Sequence, residues 1–306
     1  MILFITNTSC PTADVIMHLF NKRKIHVFRY NTDEYNKYSF LWNEDGFIFK
    51  DPCGRTIKSD DIDIVVMYKS LLSLRENHKF DFMGEDNVRY IEINVNYVTN
   101  ALAQWASINN LLRLWPLREY HIPKTYQMFL AKKFFSVPKA EIHWGNTLKH
   151  KIVMFKTLAP FVTHDYQYTY VDKCDREQLS PDYPWFTQEI ATGDRDATIL
   201  YINGKIHCFQ FAHRRERMTD WRVTQGTDQN QWLPWNPEID FLKKVDLYMK
   251  DMRLKFGRLD FIIGGKEPEF LEVNPCGQFG WLDDEKLTLH NEVVDAILDS
   301  RTTITL

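Results

Sequence analysis

Three oxygen-bearing side chains near the end of the sequence could together hold a hard metal ion. Asp260 lies in the short apolar run 259–263, and Glu272 and Asn274 lie in and directly after the run 270–273. Glycine, proline and charged residues separate the runs, which is the pattern of a β-hairpin. Because side chains alternate along a strand, Glu272 and Asn274 should point to one face. Magnesium prefers such oxygens and often shares its shell with nucleotide phosphates, so the pattern favours phosphoryl transfer.

A surface hairpin with two solvated acids would show the same spacing, and the spacing alone favours neither explanation. The segment that follows, residues 275–280, reads PCGQFG. Its proline and glycines indicate a bend whose backbone lies close to any group that the acids hold. This segment therefore favours the metal site.

The composition is that of a globular protein. The chain has 306 residues, 44% of them hydrophobic and 14% aromatic, which excludes disorder and allows one large domain or two to three smaller ones. A net charge of −3 gives no basic surface for a nucleic-acid partner. Five scattered cysteines without a CxxC motif indicate a reduced protein without a zinc site. With neither a cationic leader nor a long apolar run, we expect a soluble, cytoplasmic protein without a membrane partner.

The N-terminal part predicts a β-α-β unit, because residues 2–6 and 25–31 are strand-like and residues 12–21 carry apolar side chains on one helical face. This order predicts a parallel sheet with a right-handed crossover. The first strand is not followed by GxGxxG, so nucleotide binding is not expected there. The further elements predicted in this part are short antiparallel strands over 39–56, a central strand over 62–68 and a long helix over 88–112.

The rest of the chain predicts mixed strands and helices. The Asn203-Gly204 dipeptide between two apolar runs is the strongest hairpin signal. Lys156 ends an apolar strand, where it could be a solvated edge charge or a phosphate contact. The other predictions are strands over 125–128, 151–158, 166–171 and 185–190, helices over 131–137 and 238–256, and an acidic helix after residue 171.

The order of several motifs resembles the ATP-grasp superfamily, whose nucleotide lies between two α+β lobes. These motifs are IPKT at 122–125, MFKTL at 154–158, FTQEI at 186–190 and FLEVNP at 270–275. TDWR at 219–222, followed by FLEVNPCGQFGW, looks like the ATP-grasp peptide maturases that make graspetides, the microviridin-type and grasp-with-spasm macrocyclases. The openings ILFITN and VFRYNTDE extend this resemblance over nearly the whole chain.

The resemblance implies an α+β ATP-grasp fold, in which two α+β lobes clasp ATP, preceded by an N-terminal α/β pre-ATP-grasp domain. We accordingly expect that N-terminal domain over 1–112 and a central lobe over 113–188. A C-terminal lobe with the Mg-ATP and core-peptide site is expected over 189–306.

The resemblance also implies roles for individual residues. Asp260, Glu272 and Asn274 correspond to magnesium ligands, with Glu272 bridging two ions between the nucleotide phosphates. Asp220 and Arg222 correspond to a DxR element associated with the core peptide. The Arg222 fork is suited to a substrate carboxylate or to the acyl phosphate formed from it. The residues that correspond to nucleotide contacts are Lys156 and the inter-lobe hinge Gln188, Glu189 and Ile190.

The sequence departs from the family pattern at two expected cations. Thr198 stands where an arginine is usual, and Gly193 stands where a lysine is usual. Arg195 is the candidate replacement. The identity of the cations that contact phosphate is therefore open.

The implied function is that of an ATP-dependent macrocyclase acting on a ribosomal precursor peptide with a leader and a core. The acidic residues Asp172, Asp175 and Glu177 could dock the leader, with a solvated helix as the alternative, and the expected assembly is a homodimer. Another ATP-grasp ligase that adds amino acids to a peptide or protein would share every nucleotide residue. The missing cations would also suit a non-catalytic module that binds nucleotide or peptide.

Overall fold

The computed structural model describes residues 1–72, 83–115, 122–143, 152–156, 172–175, 179–180, 182–213 and 231–304. The chain divides into two compact units. The first comprises Met1–Glu119, Leu254–Phe256 and Pro275–Leu306, and the second comprises Tyr120–Arg253 and Gly257–Asn274. The three-domain division expected from the resemblance stays a prediction.

The first unit begins with the β-α-β unit that the sequence predicts. Strand β1 (Ile2–Thr6), helix α1 (Pro11–Lys22) and strand β2 (Val27–Asn31) follow one another, and β1 pairs with β2 in parallel. All five residues of β1 are buried, which explains its unbroken apolar run. The predicted parallel sheet is confirmed.

The antiparallel strands predicted over 39–56 are also confirmed. They are β3 (Ser39–Asn43), β4 (Gly46–Lys50) and β5 (Thr56–Lys58), and they form a three-stranded antiparallel sheet. Phe47 and Phe49 of β4 are buried, while Ile48 between them is exposed, so one face of the sheet packs on the core.

The remaining elements of the parallel sheet are β6 (Ile64–Met67) and β7 (Leu112–Arg113), with the long helix α2 (Glu85–Ile108) between them in sequence. The strand order is β2-β1-β6-β7, so β6 is central as predicted. The helix ends earlier than expected because Asn110 has a left-handed φ of 58°, which asparagine tolerates better than most residues.

The second unit contains helix α3 (Lys124–Ala131), where residues 125–128 were predicted as a strand. That prediction is wrong, as is the helix predicted over 131–137, because the helix ends at Ala131. The buried residues Gln127, Met128, Leu130 and Ala131 follow helical spacing, and a run this short is ambiguous in sequence. Pro123, the N-cap residue, has an extended backbone directly before the first helical residue.

An antiparallel sheet follows α3. Its strands are β8 (Ala140–His143), β9 (Ile152–Lys156), β10 (Asp172–Asp175) and β11 (Trp185–Gln188), in the order β10-β9-β11-β8. The strands predicted over 151–158 and 185–190 are confirmed over Ile152–Lys156 and Trp185–Gln188. The acidic helix is a wrong prediction for Asp172 and Asp175, because β10 pairs residue by residue with β9. Residues 166–171 and Glu177 lie outside the described residues.

A five-stranded sheet completes the second unit, and helix α4 (Ile239–Asp251) packs against α3 in the same unit. The predicted Asn203-Gly204 hairpin is confirmed, since both turn residues have positive φ, 46° and 92°. The predicted helix over 238–256 is confirmed but ends at Asp251. The strands of this sheet are β12 (Arg195–Ile202), β13 (Lys205–Phe211), β14 (Trp232–Pro234), β15 (Phe256–Ile263) and β16 (Glu269–Asn274), in the order β14-β13-β12-β15-β16.

An aromatic cluster supports β15 and β16 from the core side. Phe261 of β15 and Phe270 of β16 are fully buried, with ring centroids 5.5 Å apart. Phe135 packs against both rings, and Tyr248 of α4 contacts Phe135 and Phe270. Such contacts between large rings hold the two strands firmly against α4.

The chain after Asn274 belongs to the first unit, where it ends in helix α5 (Thr288–Leu298). Tyr68 donates a hydrogen bond from its hydroxyl to the Gly277 carbonyl oxygen, 3.3 Å away, and Phe279 is fully buried. The bend after Asn274 is thus fixed within the first unit. In the described parts of both units, none of the helices combines the length and apolarity needed to cross a bilayer.

Candidate active site

The structure brings the three predicted metal ligands together on the β15–β16 hairpin. Asp260 and Glu272 are paired residues in the ladder, so their side chains lie side by side. The Asn274 Nδ2 atom donates hydrogen bonds to Asp260 Oδ2 at 3.2 Å and to Glu272 Oε1 at 3.3 Å. One amide group therefore reaches both carboxylates. These residues are all partly buried and bonded to one another, unlike solvated acids on a surface hairpin, and their role as metal ligands stays a prediction.

A β-bulge separates this site from the aromatic cluster. The ladder shifts register between Asp260 and Phe261, so that Asp260 pairs with Glu272 while Phe261 pairs with Phe270. Leu271 is the extra residue. Because of it, Phe270 can be buried in the core although Glu272, only two residues away, faces the site.

Asp260 is held by a cation and by a hydroxyl group. The Arg258 Nη2 atom lies 3.1 Å from Asp260 Oδ2, and the Thr198 hydroxyl donates to Asp260 Oδ1 at 2.9 Å. Thr198, at the position where the resemblance predicts an arginine, is buried and tied to a predicted metal ligand. Sequence reasoning missed Arg258, although it lies two residues before Asp260 and strand alternation places both on one face.

Glu272 has a cation of its own. The Nζ atom of Lys124, the first residue of α3, lies 3.2 Å from Glu272 Oε2, with 33% of the lysine side chain exposed. Sequence reasoning quoted this lysine in the IPKT motif without giving it a role. Its neighbourhood could not be read from the sequence, because it depends on how α3 packs on β16.

Gln127 fixes that packing. Its Oε1 atom accepts a hydrogen bond from the backbone N–H of Val273 at 2.9 Å, and its Nε2 atom donates to the Ile122 carbonyl oxygen at 3.0 Å. Only 5% of Gln127 is exposed. The first turn of α3 is thus anchored beside Glu272, with Lys124 three residues before the anchor.

Gly193 lies where the chain crosses closely over the turn end of the hairpin. An idealised Cβ atom at this residue would lie 2.3 Å from the carbonyl oxygen of Ile263. The neighbouring Thr192 donates from its backbone N–H and its hydroxyl to Glu269 Oε2, at 2.6 and 2.9 Å. A lysine at residue 193 would clash with this backbone.

The predicted hinge residues follow β11. Gln188 is 3% exposed, and its buried Nε2 atom has no hydrogen-bond partner among the described residues. Glu189 donates its backbone N–H to the Lys139 carbonyl oxygen at 2.8 Å, and Ile190 is exposed. An unsatisfied buried amide is costly and suits a ligand contact. The roles of these residues in nucleotide binding stay predictions.

The other predicted contacts are less completely described. Lys156 is the last residue of β9 and pairs with Phe186 in β11. Arg195 donates from Nη1 to Gln210 Oε1 at 3.2 Å, a contact between neighbouring strands. Asp220 and Arg222 lie outside the described residues.

The donor set of the hairpin fits magnesium. Two carboxylates and one amide oxygen are hard ligands, and magnesium usually completes its shell with water and phosphate oxygens. The amide of Asn274 would turn its oxygen toward an ion, releasing the two bonds from Nδ2. No cluster of three or more His, Cys, Asp and Glu side chains arranged for a metal occurs in the described part of the chain.

Comparison with known proteins gives the class of the fold. No family model matches the sequence, and no curated protein matches it. Solved structures do match, over nearly the whole chain, and the chain has the ATP-grasp fold.

Within that fold, the chain is similar to peptide-modifying ligases. An ATP-grasp ligase from Chryseobacterium gregarium, described as RiPP-associated and in complex with ADP and a leader and core peptide, shares 20% identity with a TM-score of 0.78, covering 100% of this chain and 99% of that one. The macrocyclase MdnC from Microcystis aeruginosa MRC, bound with its precursor peptide, shares 16% identity with a TM-score of 0.78, covering 98% and 99%.

A third structure contains a metal ion. The ATP-grasp ligase PsnB, complexed with a phosphomimetic variant of a minimal precursor, Mg and ADP, shares 12% identity with a TM-score of 0.70, covering 98% of each chain. These similarities confirm, at the level of the fold, the resemblance predicted from the sequence.

Proposed function

We propose that this protein is an ATP-dependent macrocyclase of a ribosomal precursor peptide. The observation that carries the proposal is the convergence of Asp260, Glu272 and Asn274 on one hairpin, flanked by Arg258 and Lys124. Two acids with two adjacent cations suit a nucleotide phosphate chain and its metal ion. The solved ligases of the same fold contain ADP and a precursor peptide, which supports a peptide substrate.

The reaction proceeds in two steps. A carboxylate oxygen of a Glu or Asp side chain in the core peptide takes the γ-phosphoryl group of ATP, and ADP leaves. The hydroxyl oxygen of a Thr or Ser, or the amine nitrogen of a Lys, in the same peptide then attacks the acyl carbon. Inorganic phosphate leaves with the bonding electrons, and the nucleophile loses its proton. Each ring, an ω-ester or an ω-amide, lowers the peptide mass by one water.

The residues of the hairpin position and neutralise the phosphate chain. Magnesium, held by Asp260, Glu272 and Asn274 and proposed as two ions, would stabilise charge on the phosphoryl oxygens. The Arg258 guanidinium lies close enough to Asp260 to orient that carboxylate. Most of the rate acceleration would come from positioning and electrostatics, since the acyl phosphate is already a good electrophile.

The nucleotide base is proposed to lie at the hinge. The unsatisfied amide of Gln188 offers two N–H donors, and the backbone groups of Glu189 and Ile190 follow directly on the chain. Adenine carries ring nitrogens that accept such bonds. Lys156, at the end of the adjacent strand β9, is proposed to contact phosphate.

Peptide contacts are proposed elsewhere. Arg222 would hold the core carboxylate and Asp220 would orient Arg222. Asp172 and Asp175 lie on β10, at the edge of the described four-stranded sheet, and with Glu177 would attract basic residues of a leader. The proposed assembly is a homodimer.

Incubation with a precursor peptide, ATP and magnesium tests this function. Wild-type protein should release ADP and lower the peptide mass by one water for each ring. Glu272→Gln removes a charge from the metal site and should slow ADP release at least about a hundredfold. Glu267→Gln, on the exposed turn of the same hairpin, is the matched control and should behave as wild type.

Three results would contradict the proposal. Unchanged peptide mass together with no ADP release would favour a non-catalytic binding module. A gain in mass equal to an added amino acid would indicate a ligase that joins the peptide to a separate amine. Normal turnover by Glu272→Gln would refute the metal role of the hairpin.

A further inference from the structure

The candidate site lacks two cations that the family pattern predicts, and the structure shows why they cannot simply be restored. Residue 193 has no room for a side chain, and Thr198 uses its hydroxyl to bind Asp260. The phosphate chain of a nucleotide nevertheless carries several negative charges. Positive charge must therefore reach this site from other positions.

Two cations reach the acids in the described residues. Arg258 pairs with Asp260, and Lys124 pairs with Glu272. They differ in exposure. The Arg258 side chain is 14% exposed and lies on the same strand as its partner, whereas the Lys124 side chain is 33% exposed and comes from a separate helix. A lysine ammonium on its flexible stem can change partners more easily than a packed guanidinium group.

A divalent ion bound to Glu272 would compete with Lys124 for that carboxylate. The Lys124 ammonium group lies 3.2 Å from Glu272 Oε2, one of the two oxygens that such an ion could use. Repulsion between the ion and the ammonium group would drive Lys124 to another anion. Because Gln127 anchors the first turn of α3 to β16, Lys124 stays near the site, where the incoming anion is the phosphate chain.

Given the proposed ATP-dependent function, on which this step depends, we propose that Lys124 is an exchangeable cation of the active site. Without metal it pairs with Glu272 and keeps the two acids from repelling each other. With metal and nucleotide bound it contacts the phosphoryl oxygens and replaces the charge missing at residues 193 and 198. Lys124 thus competes with the metal ion but cooperates with the nucleotide.

This double role predicts two effects of opposite sign in the Lys124→Met variant. Binding of Mn²⁺ in the absence of nucleotide, measured by electron paramagnetic resonance, should become several-fold tighter because the competing ammonium group is gone. Binding of ADP in the presence of magnesium, measured by calorimetry, should weaken roughly tenfold to a hundredfold, as expected for a lost bond to a charged group.

Two further variants separate charge from structure. Lys124→Arg keeps a cation and should retain most of the ADP affinity. Lys133→Met removes an exposed lysine just beyond the same helix and should leave the affinities for Mn²⁺ and ADP unchanged. The Nζ atom of Lys133 lies 3.9 Å from Asp251 Oδ2. Circular dichroism of each variant confirms that it is folded.

The outcomes distinguish this inference from the proposed function. If wild-type protein binds ADP with magnesium but Lys124→Met binds Mn²⁺ and ADP as wild type does, the role of Lys124 is refuted and the proposed function stands. If Lys124→Met weakens both affinities, Lys124 is only a structural support of Glu272 and the exchange is refuted. If wild-type protein binds neither ligand, the proposed function itself fails.

Discussion

Replacement of Gly193 by alanine should destabilise the protein, because the backbone of Ile263 occupies the space that a Cβ atom needs. The idealised Cβ lies 2.3 Å from the Ile263 carbonyl oxygen and 2.7 Å from Cγ2 of Ile262. Ordinary contacts of these kinds need roughly an ångström more, and both obstacles belong to a buried strand. Overpacking of this kind costs about 1–3 kcal/mol in free energy of unfolding.

The loss should be visible in urea denaturation followed by tryptophan fluorescence. It should also lower the melting temperature by about 2–4 °C for each kcal/mol. Gly280→Ala is the matched control, since the nearest atoms to its idealised Cβ are 3.8 and 3.9 Å away and its φ is not positive. Because alanine lowers the conformational entropy of the unfolded chain, Gly280→Ala should be neutral or stabilise the protein by up to about 1 kcal/mol.

Equal stability of Gly193→Ala and wild type would refute the reasoning, because it would show that the chain can move off the hairpin without cost. The same geometry predicts that Gly193→Lys, which restores the lysine expected from the resemblance, lowers stability and does not raise activity. A more active Gly193→Lys variant would contradict the steric account of this position.

Two other predictions concern Asp260 and the cysteines. Thr198→Val removes the hydroxyl that donates to Asp260 and should lower the free energy of unfolding, measured by urea denaturation, by about 1–3 kcal/mol. Thr198→Ser keeps a hydroxyl and should retain most of that stability. Equal losses in the two variants would contradict the hydrogen-bond role. Burial raises the pKa of the Cys208 thiol to about 12, so a disulfide reagent at pH 8 should modify exposed Cys53 and spare Cys208. The contribution of the Cys208 thiol to the free energy of unfolding is complete below about pH 9 and declines toward pH 12. Rapid modification of both cysteines would contradict this prediction.

The sequence correctly predicts those elements whose residue pattern extends over several neighbouring positions. The fully buried β1, the amphipathic α1 and the Asn203-Gly204 turn each carry a pattern that few other structures share. The run 125–128 was too short to separate strand from helix, and acidity in 172–175 says nothing about backbone conformation. Pairing with β9 decides that segment, and pairing is a long-range property.

The same division applies to the candidate site. Asp260, Glu272 and Asn274 could be predicted because one hairpin carries all three, and strand alternation orients them. Arg258 could have been found by that alternation. Lys124 could not, since it reaches Glu272 only through the packing of α3 on β16, and no spacing in the sequence encodes that approach.

The bulge at Leu271 divides the hairpin into two stretches of regular strand pairing. Toward the turn, Phe261 and Phe270 are aligned by the core, and toward the open end Asp260 and Glu272 are aligned by the site. The bulge therefore lies between the turn and the acids. Gly264 and Gly265 of the turn lie close to Asp194 and Thr192, so an insertion or a grafted loop would be placed at the exposed residues Lys266 and Glu267, on the far side of the bulge from the ligands.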